Sequence, residues 1–396
     1  LAAALFSLTF ACAAAGTVMA GDLFTSKSSR NNAGYQPVSG GIGSLFGGGE
    51  KSKDAASNQH PVQDEKTFEE LTTVHTVMPF QRADLYFTLN VPKDWTTELL
   101  PDGNKDINTS IIGDIARFSS PMIGIRRLRL SVQASHIDHE IAVPHWLRHY
   151  ILMNGFAPEG EVIVDPKNPR RASIFFVSLE GGDSFYNYIT AQLSGNIMMM
   201  TRFQSPQNLR EYARYLQKAT VDSFSLTYPK TGPVEEQNVF TMMDAAKMSF
   251  PKSWEVAGQN FKDMNRLSIQ LQNKSATGGI DGFIMIQAVR RHRLTSLTKE
   301  IGDLKKYFND HMNLDIKDMI SSDKSVAGER FIFNRYEVYN VESRRRGQSK
   351  QDVHLVVLGD KEWYIMIFLI TMREEERLYA WARNVQTLEE IVRSIR

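Results

Sequence analysis

Apolar and polar positions run through one order twice along this chain. Leu85, Phe87 and Leu89 alternate with Tyr86, Thr88 and Asn90, the period of a half-buried strand. Val91-Pro92-Lys93-Asp94-Trp95 closes that run, since proline cannot donate to a ladder. Phe250-Pro251-Lys252-Ser253-Trp254 closes the apolar run from Met243, with Pro251 lying 159 positions after Pro92. A repeat of this length sets the frame for everything else.

After the first closure the spacing predicts strands over Ile112–Phe118 and Ile125–Val132, then a helix opened by Pro144. Leu147, Tyr150 and Ile151 form its inner face and Asn154-Gly155 stops it. Strands follow at Ser173–Leu179, Phe185–Leu193 and Ile197–Phe203, separated by Gly181-Gly182-Asp183 and Ser194-Gly195-Asn196 turns. Leu209, Tyr212, Leu216 and Thr220 mark a closing helix.

The second copy repeats the order: strands at Leu267–Leu271 and Phe283–Val289, then a helix carrying Leu297, Ile301, Leu304 and Phe308. Strands at Arg330–Val341, Val353–Leu358 and Trp363–Thr371 precede a closing helix, whose Leu378, Trp381, Val385, Leu388 and Val392 read as one core-facing stripe. Tyr150 aligns with Tyr307 and Tyr212 with Tyr379. The expected fold class is α+β: two tandem α/β/α-sandwich-like domains, each a mostly antiparallel sheet covered by helices. The expected boundaries are 67–228 and 237–396, joined by a hinge at 229–236 with Pro229, Gly232 and Pro233.

Residues 1–20 read as a signal peptide. Leu1 to Ala15 is nearly all apolar, and Val18-Met19-Ala20 before Gly21 fits the small-residue rule for cleavage. Retention as an anchor and lipidation at Cys12 are the competing readings, though Phe10 is bulky for a lipobox. Residues 21–66 are rich in Ser, Asn, Gly and Lys and are expected to be a disordered Gly/Ser-rich linker, with Ile42, Leu45 and Phe46 set in a glycine patch. The expected location is periplasmic or secreted, in a bacterial envelope, with no transmembrane span once the signal is removed.

Of 396 residues, 42% are hydrophobic and 23% charged, and Lys+Arg (46) nearly balance Asp+Glu (45). That balance provides no global field for nucleic acid, which is not an expected partner. The single cysteine, Cys12, falls within the signal, so a cleaved chain has no thiol for disulfides, nucleophiles or metal thiolates.

The order of opening strand, Pro, short gap and Trp, then helix, strand meander and closing helix, resembles the PsbP/Mog1-like superfamily, which includes DcrB-type periplasmic proteins. The resemblance covers 67–396 as two units. It implies the fold, a non-enzymatic binding or accessory role and an envelope location; it carries over no individual functional residue.

The sharpest chemical cluster is His136, Asp138, His139, Glu140, His145 and His149. His145 and His149 are four apart on the expected helix, a spacing that can place two imidazoles on one metal, and His136 and His139 could close the set. Zinc is the ion such ligands would favour. Copy two has Gly302 and Lys306 in place of His145 and His149, so a site would belong to one copy. The competing reading is a solvated helix face.

Basic runs occur at Arg126-Arg127-Leu128-Arg129, Arg290-Arg291-His292-Arg293 and Arg344-Arg345-Arg346, the first two expected at equivalent strand ends. Arg127, Arg129, Arg291 and Arg293 are candidates for an anionic protein partner, against a reading of solvated strand faces. Trp146 is the candidate exposed aromatic contact, whereas Trp95, Trp254, Trp363 and Trp381 read as packing. Met198-Met199-Met200 reads as adaptable packing, and Glu374-Glu375-Glu376 and Glu389-Glu390 as exposed helix carboxylates. Gly-x-Ser-x-Gly is absent. The expectation is a non-enzymatic binding or scaffold protein, such as an accessory subunit of an envelope or secretion assembly, with no cofactor. The alternative is a small-ligand or metal-binding protein using the His136–His149 cluster.

Overall fold

The computed structural model describes residues 62–98, 113–275, 278–323, 330–343 and 350–396. These belong to one compact unit. The expected signal, most of the expected linker, Cys12 and the Arg344-Arg345-Arg346 run lie outside the described residues.

Copy one opens with helix α1 (Glu65–Leu71) and strands β1 (Thr72–Val77) and β2 (Phe87–Pro92). Asp64 caps α1 by accepting from the Thr67 amide. The sheet strands follow as β3 (Thr96–Glu98), β4 (Gly113–Ser119) and β5 (Arg129–His136), then helix α2 (Val143–Met153). Next come β6 (Ala157–Asp165), β7 (Asn168–Glu180), β8 (Asp183–Ser194), β9 (Ile197–Pro206), helix α3 (Arg210–Asp222) and β10 (Ser225–Leu226).

Copy two comprises β11 (Gln237–Met242), β12 (Ala246–Pro251), β13 (Trp254–Asp263), β14 (Arg266–Lys274) and β15 (Ile280–Arg290). Helix α4 (Leu297–Met312), β16 (Leu314–Asp323), β17 (Phe333–Ser343), β18 (Gln351–Gly359), β19 (Trp363–Met372) and helix α5 (Glu374–Ser394) complete it. Ser296 caps α4 through the Lys299 amide, and Asn313 ends it in the left-handed region at φ 56°.

The two main sheets have one topology. Each is seven-stranded, with orders β3-β4-β5-β9-β8-β7-β6 and β13-β14-β15-β19-β18-β17-β16. Every pairing in them is antiparallel. The chain is therefore two tandem α+β domains whose seven-stranded sheets match strand for strand; the small sheets differ, β1-β2-β10 in copy one and β11-β12 in copy two.

Each sheet is covered on both faces. Leu130, Val132, Met199 and Phe203 face α3 with Leu216, while Ile174, Phe176, Ile189 and Met200 face α2 with Leu147. In copy two Ile284, Ile286, Ile367 and Leu369 face α5, while Phe283, Met366 and Phe368 face α4. Trp95 and Trp254 are both buried against their cores, as their place in the repeat predicts, and Met198, Met199 and Met200 are fully buried.

The closing helices share a buried amide as well. Gln217 of α3 donates to the carbonyls of Tyr186 and Phe203. Asn384 of α5, aligned with it, donates to Asp281 O and Thr371 Oγ1. A Cβ on Gly282 would fall 2.6 Å from the Asn384 side chain, so glycine there makes this docking possible. Strands β6 and β16 carry too few buried positions to show a period, and the sequence reading placed no strand on either.

Candidate functional site

Helix α2, which carries two of the candidate histidines, is covered on both sides. Val143, Leu147 and Ile151 pack on its own sheet, with Trp146 and Tyr150 beside them. Its other side meets α5 of copy two. The ring of His145 stands edge-on to Trp381 at 5.1 Å, and His149 lies 5.0 Å from Tyr379. Arg148 pairs with Glu374, and Ala382 is fully buried in the α2 cluster. The four-residue spacing does place both imidazoles on one helix face. That face is the seam between the copies.

A knot of carboxylates extends the seam. Glu140 Oε1 accepts from the amides of Val234 and Glu235, the latter at 3.1 Å. Glu235 Oε1 accepts in turn from the Glu140 amide at 3.2 Å and lies 3.3 Å from His139 Nδ1; its Oε2 accepts from the Ser253 amide at 3.0 Å. Arg170 donates to Gly232 O and Gly195 O. Ser194 Oγ accepts from the Lys230 amide, and the Lys252 amide donates to Glu236 O. The 229–236 segment, expected as a hinge, is thus bonded to both copies.

Burial sets the ionisation of this region. It pushes the pKa of Glu140 up, and raises Glu390 on α5 to about 7, with the charge of Glu140 adding to the effect. Burial works against ionised Glu235 too, but hydrogen bonds from His139 and Ser253 outweigh it and hold that carboxyl below its usual range. Burial lowers His145 and His149, with Glu374 and Glu389 partly offsetting the effect at His145. Behind Trp381, His354 of β18 is depressed to about 4 by burial; its Nδ1 lies 2.6 Å from Tyr336 Oη, and its ring lies 6.4 Å from Trp381.

The four candidate metal ligands do not converge. His136 contacts Asp138 (2.8 Å) and Asn196 (2.8 Å), His139 contacts Glu235, and His145 and His149 lie on separate aromatic rings. Among the described residues no group of three or more His, Cys, Asp or Glu is placed to hold a metal ion. In place of the shared shell of the alternative reading, the histidines make individual contacts, and α5 packs on the helix face that carries His145 and His149.

Trp146 also departs from expectation. It is 6% exposed and stacks on Tyr150 at 5.7 Å, so it is a packing residue and not a surface contact. Trp363 joins the core of copy two, but Trp381 packs toward copy one, so the expected single stripe of α5 is in fact two faces. Arg127 and Arg129 are exposed, while Leu128 and Leu130 are buried, as their alternation predicts.

Arg291 donates to Asp360 O and lies over Tyr364, and Arg293 is exposed. The two basic runs are not equivalent. Arg126–Arg129 leads into β5, whereas Arg290–Arg293 follows the end of β15, the strand in the matching sheet position. They lie at opposite ends of their sheets; similarity of charge misled the alignment.

The sequence did not mark Glu140, Glu235, Glu390 and Arg170 as one seam. One signal was present: α5 carries Tyr379 and Ala382 off the expected stripe, and a helix apolar on two faces is covered twice. No helix among the described residues is long and apolar enough to cross a membrane, which says nothing of strands.

No protein-family model and no curated protein matches the sequence. Among solved structures the chain is similar to cyanobacterial PsbP (CyanoP) from Synechocystis sp. PCC 6803, with 11% identity over 44% of this chain and 98% of that one, TM-score 0.29. It is similar to the Ran-binding protein Mog1p of Saccharomyces cerevisiae, with 9% identity over 41% of this chain and 95% of that one, TM-score 0.28. It is also similar to a chain of the Tle4-Tli4 complex, with 10% identity over 82% of this chain and 99% of that one, TM-score 0.21.

Proposed function

We propose that this chain is a non-enzymatic binding or scaffold protein of a bacterial cell envelope, an accessory subunit whose two modules are held at fixed spacing and offered to protein partners. The observation that carries this reading is the seam. The groups best suited to chemistry in the sequence are engaged structurally: His145 and His149 meet copy two, and His139 and Glu140 bond the 229–236 segment between the copies. Their burial and mutual contacts favour fixing a shape. The apolar Leu1–Ala15 run and the Ala20-Gly21 junction support export.

The test is isolation of the chain from envelope fractions after mild cross-linking in cells. A reproducible protein partner at fixed stoichiometry is expected. A mature chain that always isolates alone, and that turns over a small substrate when purified, would overturn the reading.

A further inference from the structure

One end of copy one differs from the described residues at the same end of copy two. This is the end where β4 turns into β5, α2 finishes and β7 turns into β8. Met122, Ile125, Leu152, Met153 and Leu179 lie there, 48, 87, 52, 69 and 77% exposed. Ile125 is at the tip of a turn closed by the Ile123–Arg126 bridge; Gly124 supplies the positive φ of 62° that this turn requires. Arg126 pairs with Asp183 at 2.9 Å and ties the tip to the β7–β8 turn beside Leu179.

In copy two the end of α4 carries Asn309 and Asp310 where α2 carries Leu152 and Met153, and the β14–β15 turn contains Ser275, Gly278 and Gly279. Single exposed apolar residues are ordinary. Five of them gather as a patch at one end from three segments, whereas the α4 positions aligned with Leu152 and Met153 are polar and Tyr307 is an exposed aromatic nearby.

The charges around the patch indicate what covers it. Arg126, Arg202 and Arg210 each have a carboxylate partner, in Asp183, Glu180 and Glu159. Among the described residues Arg127 donates to the Met122 sulfur, at 3.0 Å. Among the described residues no carboxylate pairs with Arg127 or Arg129, and both are exposed. We propose that this end of copy one docks an acidic, apolar-faced segment of a protein partner, whose apolar side chains cover Ile125 and Leu179 and whose carboxylates meet Arg127 and Arg129. The inference rests on the binding role proposed above and adds its surface. Glu159, Glu180 and Asp183 at the same end give a mixed charge pattern, which suits discrete pairing with a protein better than a uniformly anionic lipid surface.

The test uses the full chain and three probes: an amphipathic Leu/Glu peptide, its Leu/Lys counterpart, and vesicles containing phosphatidylserine. Methyl signals of Met122, Ile125, Met153 and Leu179 are followed by NMR. The Leu/Glu peptide is expected to shift these signals and the Leu/Lys peptide is not. Arg127→Glu with Arg129→Glu, and separately Ile125→Ser with Leu179→Ser, are expected to weaken the response about tenfold or more; all four positions are exposed, so the variants fold. Equal response to both peptides, a response to vesicles instead, or shifts mapping elsewhere would overturn the proposal.

A photocrosslinking residue in place of Ile125 or of Tyr307 on α4 separates the two readings. Crosslinks from position 307 alone discard this surface and keep the binding role. Crosslinks from neither position, with a chain that isolates alone, discard both.

Discussion

Helices α2 and α4 hold the same place in the two copies, yet their outer faces have opposite fates. On α2, His145 and His149 are pressed against Trp381 and Tyr379 of the other copy. On α4 the aligned Gly302 and Lys306 are exposed, as are Asp303 and Tyr307. The closing helices differ in the complementary way. The outer side of α5 presents Tyr379, Trp381 and Ala382 to copy one, while the outer side of α3 carries Arg214 and Tyr215 along an open cleft with Val62. One module surface thus docks in each copy, α2 in the first and α5 in the second, while the aligned faces of α4 and α3 do not.

The largest contrast should come from charge. Ala382→Arg places an arginine in the buried centre of the seam and is expected to cost about 3–5 kcal/mol. Lys306→Glu on α4 should stay within about 0.5 kcal/mol. Urea denaturation of both variants checks the pair; equal losses would mean that α2 and α4 are not differently covered. Next, Trp381→Ala removes the ring that His145 meets and should cost about 2–4 kcal/mol, whereas Tyr307→Ala, on an exposed face beside His311, should cost under about 1 kcal/mol.

The pH dependence is a finer contrast within the seam itself. His145 and His149 titrate below 6.5 in the folded chain, because burial disfavours their charged forms. Their contribution is complete above pH 6.5 and declines as pH falls below it. Glu390 runs the other way: its folded value, about 7, lies above the ordinary 4.5, so its contribution is complete below pH 4.5 and is lost as pH rises through about 7. The groups facing these residues are Glu374, Glu389 and Arg148 for His145, and Glu140, Glu235 and Arg393 for Glu390.

The two slopes oppose each other between the windows. His354 adds its own loss of stability below pH 6.5 to the unaltered chain and to every variant. Relative to the unaltered chain, His145→Leu with His149→Leu should shift the stability difference downward as pH rises toward 6.5, and Glu390→Gln should shift it upward as pH rises from 4.5 to 7. Melting temperatures across this range check the signs; parallel profiles would contradict them. A small stabilising effect is expected at Gly302→Ala. A Cβ there meets nothing within 4 Å, so better helix propensity should stabilise the chain by about 0.5–1 kcal/mol, read in the same denaturation assay.

Much of the fold was legible because burial leaves a period in the sequence. β8 and β9 pack on both faces and stand between glycine turns, so Phe185–Leu193 and Ile197–Phe203 were readable almost to their ends. β6 and β16 are edge strands with exposed side chains on both faces over most of their length, and no apolar alternation marks them.

The site was legible in part. The spacing of His145 and His149 correctly put them on one face, but nothing local said that the face would be met by Tyr379 and Trp381, more than two hundred residues away. Glu140 and Glu390 look like any surface carboxylates in sequence; their raised pKa values exist only because docking buries them.

Calorimetry of the chain tests most directly whether the seam makes one body of the two copies. A single transition is expected, with van't Hoff and calorimetric enthalpies equal, and it should split in two in Ala382→Arg. Two independent transitions in the unaltered chain, at temperatures that Ala382→Arg leaves in place, would contradict the account.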